Sequence, residues 1–412
     1  MKSLIILKGL AKSEKLKWVE KEGLGNYFLD IDVFRKIYSS PELVKPGLET
    51  LSRSFGSLVH ERFMEALIIR LGKGCLIVVD LDEDPVVTVE TLAMIHGYTV
   101  FYHIQPIPQD YCNKPKKYIL PWQSCKKKEE LDIDVKNFMN LQLNDKLVIN
   151  NYQDLIDYWN EHEVVINIKK KTDLIHVSDI HSNWSLWKDI TRGINPDSII
   201  IHHGDYIDGL EEGGSRKLIQ EIIKDRKDSG RYWLEGNHEL RLRRFLGWKI
   251  LNSQGSKIVP TLLYKMLPEG FLTTTALEFD SLPVKECKRW LQELNQKLKT
   301  HIVVCRGKDS YVCTHAGLKM IEQISPKHIG IVVYGNRDMD RYDKEFSYRN
   351  KETGILSIHA HCKYPSGWNT AKYDSVVNID PEDESKVVVF NNSYNKNNWT
   401  FKVWQKSKSP QE

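Results

Sequence analysis

The chain has 412 residues, enough for roughly two or three domains, each with its own core. With 41% hydrophobic and 28% charged residues it reads as ordinary soluble globular protein, which excludes a disordered or fibrous chain. The net charge of +4 permits a nucleic-acid partner without arguing for one. Seven cysteines with no Cys-x-x-Cys read as reduced intracellular thiols, not as a disulfide framework.

The chain opens on a short strand, Leu4-Ile-Ile-Leu7. That apolar run is too short for a signal peptide, and no stretch is long enough to span a bilayer, so the expected location is cytoplasmic with no membrane partner. After the strand comes Gly9-Leu-Ala-Lys-Ser-Glu-Lys15-Leu16. In a phosphate-cradling loop, Gly-x-x-x-x-Gly-Lys-[Ser/Thr], glycines let backbone amides wrap phosphate and a hydroxyl holds magnesium. Gly9 and Lys15 have that spacing, but Glu14 stands at the second glycine and Leu16 at the hydroxyl position. Asp32 and Arg35, in Leu29-Asp-Ile-Asp-Val-Phe-Arg35, resemble the acceptor-activating Asp-x-x-Arg of polynucleotide kinases. A buried-strand pattern at Gly74–Asp80, then a helix and a strand over Thr91–Tyr102, fit βαβ units on a parallel sheet. The segment after Asp80, where a kinase lid would lie, is acidic and lacks arginine, although phosphoryl transfer leans on positive charge. Residues 1–125 therefore read as a P-loop kinase-like domain that has lost its chemistry. The basic segment Lys114–Lys128 is its candidate nucleic-acid contact.

Residues 126–171 read as a linker with the first elements of the second domain: a charge run at Lys126–Glu130, a helix within Asp145–Tyr158 and a strand at Val164–Ile168. Thereafter five apolar runs each end in polar groups of one kind. Leu174–Val177 leads to Asp179 and His181, and Ser198–Ile201 leads to Gly204-Asp-Tyr-Ile-Asp208. Arg231–Leu234 leads to Gly236-Asn-His-Glu239, Tyr311–Cys313 to His315-Ala-Gly317, and Ile355–Ile358 to His359 and His361. Carboxylate oxygen and imidazole nitrogen at the ends of adjacent strands suit two divalent ions of the manganese, iron or zinc type. A mid-series aspartate such as Asp205 is placed to bridge them.

These motifs, in this order over about residues 172–381, resemble the calcineurin-like metallophosphoesterases. The tract Gly236–Gly247 with Thr314–Leu318 is similar to the phosphatase module of bacterial polynucleotide kinase–phosphatases. The resemblance implies an α/β chain with a parallel-sheet kinase-like domain, followed by a two-sheet αββα phosphoesterase domain over 172–404 and a polar tail over 405–412. It implies that Asp179, His181, Asp205 and His361 hold one metal, and that Asp205, Asn237, His315 and His359 hold the other. The ions would be manganese foremost, with iron, zinc, nickel or magnesium as alternatives. It also implies His238 as general acid steadied by Asp208, with Asn237 and an arginine on the phosphate.

Two departures stand out: Ile358 replaces the glycine usual before the closing His-x-His, and Gly209-Leu210 replaces a phosphate-gripping Arg-Gly. Arg241, Arg243 or Arg244 would then supply the grip, and Arg337 or Arg341 is placed to reach phosphate from a later loop. Helices over 245–300, including Cys287–Leu298, would cap the site, and strands after residue 374 would close the second sheet. The functional expectation is a nucleic-acid end-processing phosphatase acting on 3′-phosphates or 2′,3′-cyclic phosphates. A metal-dependent endonuclease or nickase on the phosphodiester backbone is an alternative. So is a protein Ser/Thr or dinucleotide polyphosphate phosphatase. A scaffold without turnover is disfavoured by the full ligand set.

Overall fold

Leu4, Ile5, Ile6 and Leu7 are all buried in the computed structural model, so the first strand has protein on both faces. That is what a continuous apolar run in the middle of a parallel sheet requires. The structure describes residues 1–316 except 39–40, 46–47, 52–55, 82–85, 112, 115–116, 119–127, 140–145, 169–172, 193, 210, 227–228, 256–257 and 307–308. Beyond these it describes 325–327, 356–359, 376–378, 388–395 and 398–405. The chain divides into two units, residues 2–161 and residues 162–412 (Met1 groups with the second).

In the first unit, β1 (Lys2–Lys8), β2 (Phe28–Asp30), the hairpin β3 (Pro41–Lys45) and β4 (Leu48–Leu51), β5 (Ile77–Asp80), β6 (Tyr98–Ile104) and β7 (Leu147–Ile149) follow in order. Five of these strands form a wholly parallel sheet in the order β2-β5-β1-β6-β7. Helices Lys12–Lys21, Gly56–Lys73 and Val86–Ile95 make the crossovers. The chain leaves β1 toward β2 on one side, and leaves β5 toward β6 on the other. In open parallel sheets the crevice for a ligand lies at such a reversal, beyond the strands' C-terminal ends. Strand β7 and the helices Lys128–Met139 and Tyr152–Glu161 belong to this unit, whereas the sequence reading placed this stretch in the seam and on the second domain's side. Pairing with β6 from Phe101↔Leu147 to His103↔Ile149 draws β7 in, and Trp18 Nε1 donates to the Asn150 carbonyl beside it at 3.0 Å. A three-residue strand is too short for periodicity to reveal it.

The second unit is built on two sheets. Its strands are β8 (Val165–Asn167), β9 (Leu174–Val177), β10 (Ile199–His202), β11 (Arg231–Leu234), β12 (Leu298–Lys299), β13 (His301–Arg306), β14 (Asp309–Thr314), β15 (Leu356–His359), β16 (Val376–Asn378), β17 (Val388–Asn395) and β18 (Asn398–Gln405). One sheet runs β12-β11-β10-β9-β17-β18, parallel across its first four strands and antiparallel over the last two. The other runs β16-β15-β14-β13-β8. Side chains from both, among them Leu174, Ile201, Leu234, Ile302, Val304, Tyr311 and Cys313, pack into one apolar core. Helices Trp184–Arg192, Gly214–Lys224, Asn237–Ser253 and Val284–Lys297 accompany the first sheet's crossovers. Among the described residues no helix is long and apolar enough to cross a membrane.

Candidate metal centre

Strands β9, β10 and β11 end level with one another: Val177 pairs with His202, and His202 with Trp233. The polar residues that follow each strand therefore emerge together along one edge, the C-terminal edge where parallel sheets place their ligands. Asp179 and His181 follow β9, Asp205 and Asp208 follow β10, Asn237 and His238 follow β11, and His315 follows β14. His361 lies outside the described residues. Of His359 only the backbone is described, as the last residue of β15. Arg337 and Arg341 also lie outside them.

The two loops after β9 and β10 are bent hard. Asp179, His181, Ser182, Asp205 and Asp208 all have positive φ, between 42° and 69°. Non-glycine residues there cost about 1–3 kcal/mol each and are held only where the surroundings over-determine them. The loops also lie against each other. A Cβ on Gly209 would overlap the His181 carbonyl oxygen, and one on Gly214 would overlap that of Ser182. This accounts for the glycine at 209 where the family pattern has arginine: no side chain fits between these backbones.

Asp179, His181 and Asp205 each offer a ligand atom within 4.8 Å of the others. On the other side of Asp205, its Oδ1 lies 3.4 Å from His315 Nε2, and that nitrogen is 3.2 Å from Asn237 Oδ1. Asp205 is thus common to two groups of donors. Both imidazoles are turned the same way. His181 Nδ1 is 3.3 Å from the Ile207 carbonyl and His315 Nδ1 donates to the His203 carbonyl, which leaves each Nε2 facing the carboxylates. A backbone acceptor on one ring nitrogen is the usual support for a metal on the other. Asp179 and Asp205 are buried as a pair of like charges, at a cost that a cation between them offsets. Oxygen and imidazole donors that converge in this way fit divalent metal ions.

Beside this group His238 Nδ1 donates to Asp208 Oδ2 at 2.9 Å, and its Nε2 stands 3.7 Å from Asp205 Oδ2. Arg241, one helical turn on, reaches the same Asp208 oxygen at 2.6 Å, and Thr275 donates to Oδ1 at 2.8 Å. Burial works to raise the pKa of Asp208. Hydrogen bonds from His238, Thr275 and Arg241 outweigh it and pull the value down to about 2. Burial works to lower that of His238, and the charge of Asp205 with the Asp208 hydrogen bond reverses this to a net upward shift. Arg243, a candidate phosphate grip in the sequence, is buried instead against Glu235 at 2.7 Å and the Leu294 carbonyl at 3.1 Å. Arg241, by contrast, has its guanidinium on Asp208 and beside His238 Nδ1.

Thr275 and Glu239 were not singled out by sequence reasoning. The Glu239 carboxylate accepts the backbone N–H of Gly236 at 2.9 Å, Asp205 at 3.0 Å and Tyr206 at 2.9 Å, clasping two loops at once. Burial, with the charge of Asp205 added, pushes its pKa up to about 7. Its position three residues into a helix, where a Glu reaches back to the cap, was a signal available in the sequence. Thr275 had none.

In the first unit the structure also gathers the residues that the sequence reading assigned to a degenerate nucleotide loop. Lys15 Nζ lies 2.7 Å from Asp80, and Asp32 is 2.7 Å from Arg35 NH1. Lys12 joins them, 2.6 Å from Asp30, 2.8 Å from Asp80 and 3.2 Å from Asp32. Gly9 has φ of 156°, and a Cβ there would come within 2.8 Å of Gln105 Cβ.

A two-sheet unit whose strand ends bring carboxylate, amide and imidazole donors together has the site of a metal-dependent hydrolase. The profile of the calcineurin-like phosphoesterases matches residues 172–390, more than half the chain, and the protein belongs to that family. It is a metal-dependent phosphoric ester hydrolase, of a family that uses a dinuclear divalent metal centre. No curated protein sequence matches it. Among solved structures it aligns with a Saccharomyces cerevisiae protein serine/threonine phosphatase described as similar to human phosphatase PP5. That alignment has 12% identity over 68% of this chain and 97% of the other, with a TM-score of 0.39. A putative diadenosine tetraphosphatase aligns at 13% identity over 59% of this chain and 98% of its own, with a TM-score of 0.34.

Proposed function

We propose that the protein removes phosphate from nucleic-acid ends, a 3′-phosphate or a 2′,3′-cyclic phosphate, with two manganese ions. In this reading Asp179, His181, Asp205 and His361 hold one ion, and Asp205, Asn237, His315 and His359 the other. When bound, the ions polarise the phosphoryl oxygens and lower the pKa of water. The observation that carries the reading is the position of His238, its Nδ1 on Asp208 and its Nε2 turned to the metal ligands. Asp208 stays ionised, keeps the Nδ1 proton in place and favours the imidazolium. His238 Nε2 then gives its proton to the departing oxygen. Such a proton matters most when the leaving group is an alkoxide, as a ribose hydroxyl is. Asn237 and Arg241 hold the non-bridging oxygens, with Arg241 turning from Asp208 toward the phosphate.

The nucleic-acid part of this reading takes the first unit as a degenerate P-loop kinase-like domain. Its parallel sheet carries a Lys–Asp cluster at the C-terminal edge. The amines that would meet phosphate are matched there by Asp30, Asp32 and Asp80, which favours a binding or structural role over phosphoryl transfer.

The test is to incubate the full chain with manganese and a panel of 3′-phosphate, 2′,3′-cyclic phosphate, intact duplex and phosphopeptide substrates. Preferential release of phosphate from the ends is the expected result. Faster turnover of the phosphopeptide, or cutting of the duplex, overturns the substrate assignment.

A further inference from the structure

Behind the metal ligands, a file of polar side chains crosses the apolar core between the two sheets. Tyr311 Oη lies 3.1 Å from His176 Nε2, His176 Nδ1 lies 2.9 Å from His203 Nε2, and His203 Nδ1 lies 2.9 Å from the Thr314 carbonyl. All three side chains are completely buried. With neutral rings only one placement of protons satisfies these contacts. The Thr314 carbonyl can only accept, so His203 carries its proton on Nδ1 and accepts on Nε2. His176 must then donate from Nδ1 and accept on Nε2, and Tyr311 donates. Burial, which holds the His176 pKa well below the usual histidine value, agrees with neutral rings.

The far end of this file is tied to the metal site twice. The His203 side chain donates to the carbonyl of Thr314, the residue before His315, and the His315 side chain donates to the carbonyl of His203. The two histidines therefore clasp each other across the gap between the sheets. One stands two residues before Asp205, the other is itself a donor. We propose that Tyr311, His176 and His203 are positioning residues that set the separation of Asp205 and His315, and so the second metal position. The inference rests on the ligand assignment above. A metal ion among His176, His203 and Cys313, whose donor atoms lie within 4.8 Å of one another, is the competing use of this cluster. The ordered hydrogen bonds among these buried side chains favour the positioning role.

Removing the Tyr311 hydroxyl takes from His176 Nε2 the buried hydrogen bond it accepts and so loosens the ring that holds His203 against Thr314. The full chain, stripped with chelator and titrated with Mn2+, is followed by electron paramagnetic resonance, which counts free ions and reports coupled pairs. Wild type is expected to take up two equivalents as a coupled pair. Tyr311→Phe keeps the ring and its volume. It is expected to bind the first equivalent normally and to need about tenfold or more Mn2+ for the second, the usual cost of losing support behind a ligand. His203→Asn should do the same, while Ile302→Val, in the same core but off this file, should titrate as wild type. Wild-type titration of folded Tyr311→Phe overturns the proposal. So does equal weakening in Ile302→Val, or a third equivalent that disappears in Cys313→Ala. If Asp205→Ala still binds a coupled pair, the ligand assignment itself fails, a result distinct from failure of the positioning role.

Discussion

Arg241 and Asp208 are joined at 2.6 Å, with the guanidinium also 3.0 Å from His238 Nδ1. Arg241 thus sits on the carboxylate that holds His238, one turn along the helix from that histidine. In the proposed reaction a bound phosphate competes for the guanidinium. Arg241→Ala is expected to raise KM and lower kcat/KM about tenfold to a hundredfold, the value of one or two charge-assisted hydrogen bonds. Steady-state kinetics of the variant check this. Unchanged KM would leave Arg241 a support for Asp208 alone.

His238→Ala should slow turnover by roughly a hundred- to ten-thousand-fold on nucleotide ends, and far less on p-nitrophenyl phosphate, whose leaving oxygen needs no proton. An equal loss on both substrates removes His238 from the acid role.

Asp205→Ala should abolish hydrolysis and leave the thermal transition of the apo protein nearly intact or raised, because a buried like-charge repulsion with Asp179 is relieved. Full manganese-dependent activity in this variant refutes the two-metal reading.

Asp208 gives a pH signature. Its folded pKa of about 2 lies below the ordinary 3.8, so it stabilises the fold above pH ~4, and this contribution is lost as pH falls toward 2. The effect is of order 2 kcal/mol at most. Urea midpoints measured in chelator at pH 7 and pH 3 should differ less for Asp208→Asn than for wild type. Identical pH dependence in the two proteins contradicts the assignment.

In the first unit, Lys12→Met strips a buried cation from Asp30, Asp32 and Asp80 and should cost about 3–5 kcal/mol. Calorimetry reads this directly. With the lysines so engaged, ATP with magnesium or manganese should not label a 5′-hydroxyl end. Clear labelling would show a working kinase loop.

The donors that the structure brings together were legible because each sits soon after an apolar run, and the strand-then-polar pattern survives in one dimension. Asp179, Asp205 and His315 were found that way. Strand β7 was not, since three residues carry no period. Lys12 and Thr275 were missed for another reason: a lysine in a charged helix and a threonine at the start of a short helix resemble solvated residues until folding brings Asp30, Asp80 or Asp208 against them. The role of Gly209 was likewise hidden, because the His181 carbonyl that excludes a side chain there is remote in sequence.

Strand β9, which carries Asp179 and His181 at its end, is flanked by β10 on one side and by β17, from residues 388–395, on the other. On the ribosome the first neighbour follows within about two dozen residues, while the second is made some two hundred residues later. Until then the nascent sheet shows β9 as an open edge, able to pair with another chain. A polypeptide stopped before residue 388 keeps most of its metal donors yet leaves that edge bare, so premature termination yields a sticky, aggregation-prone fragment.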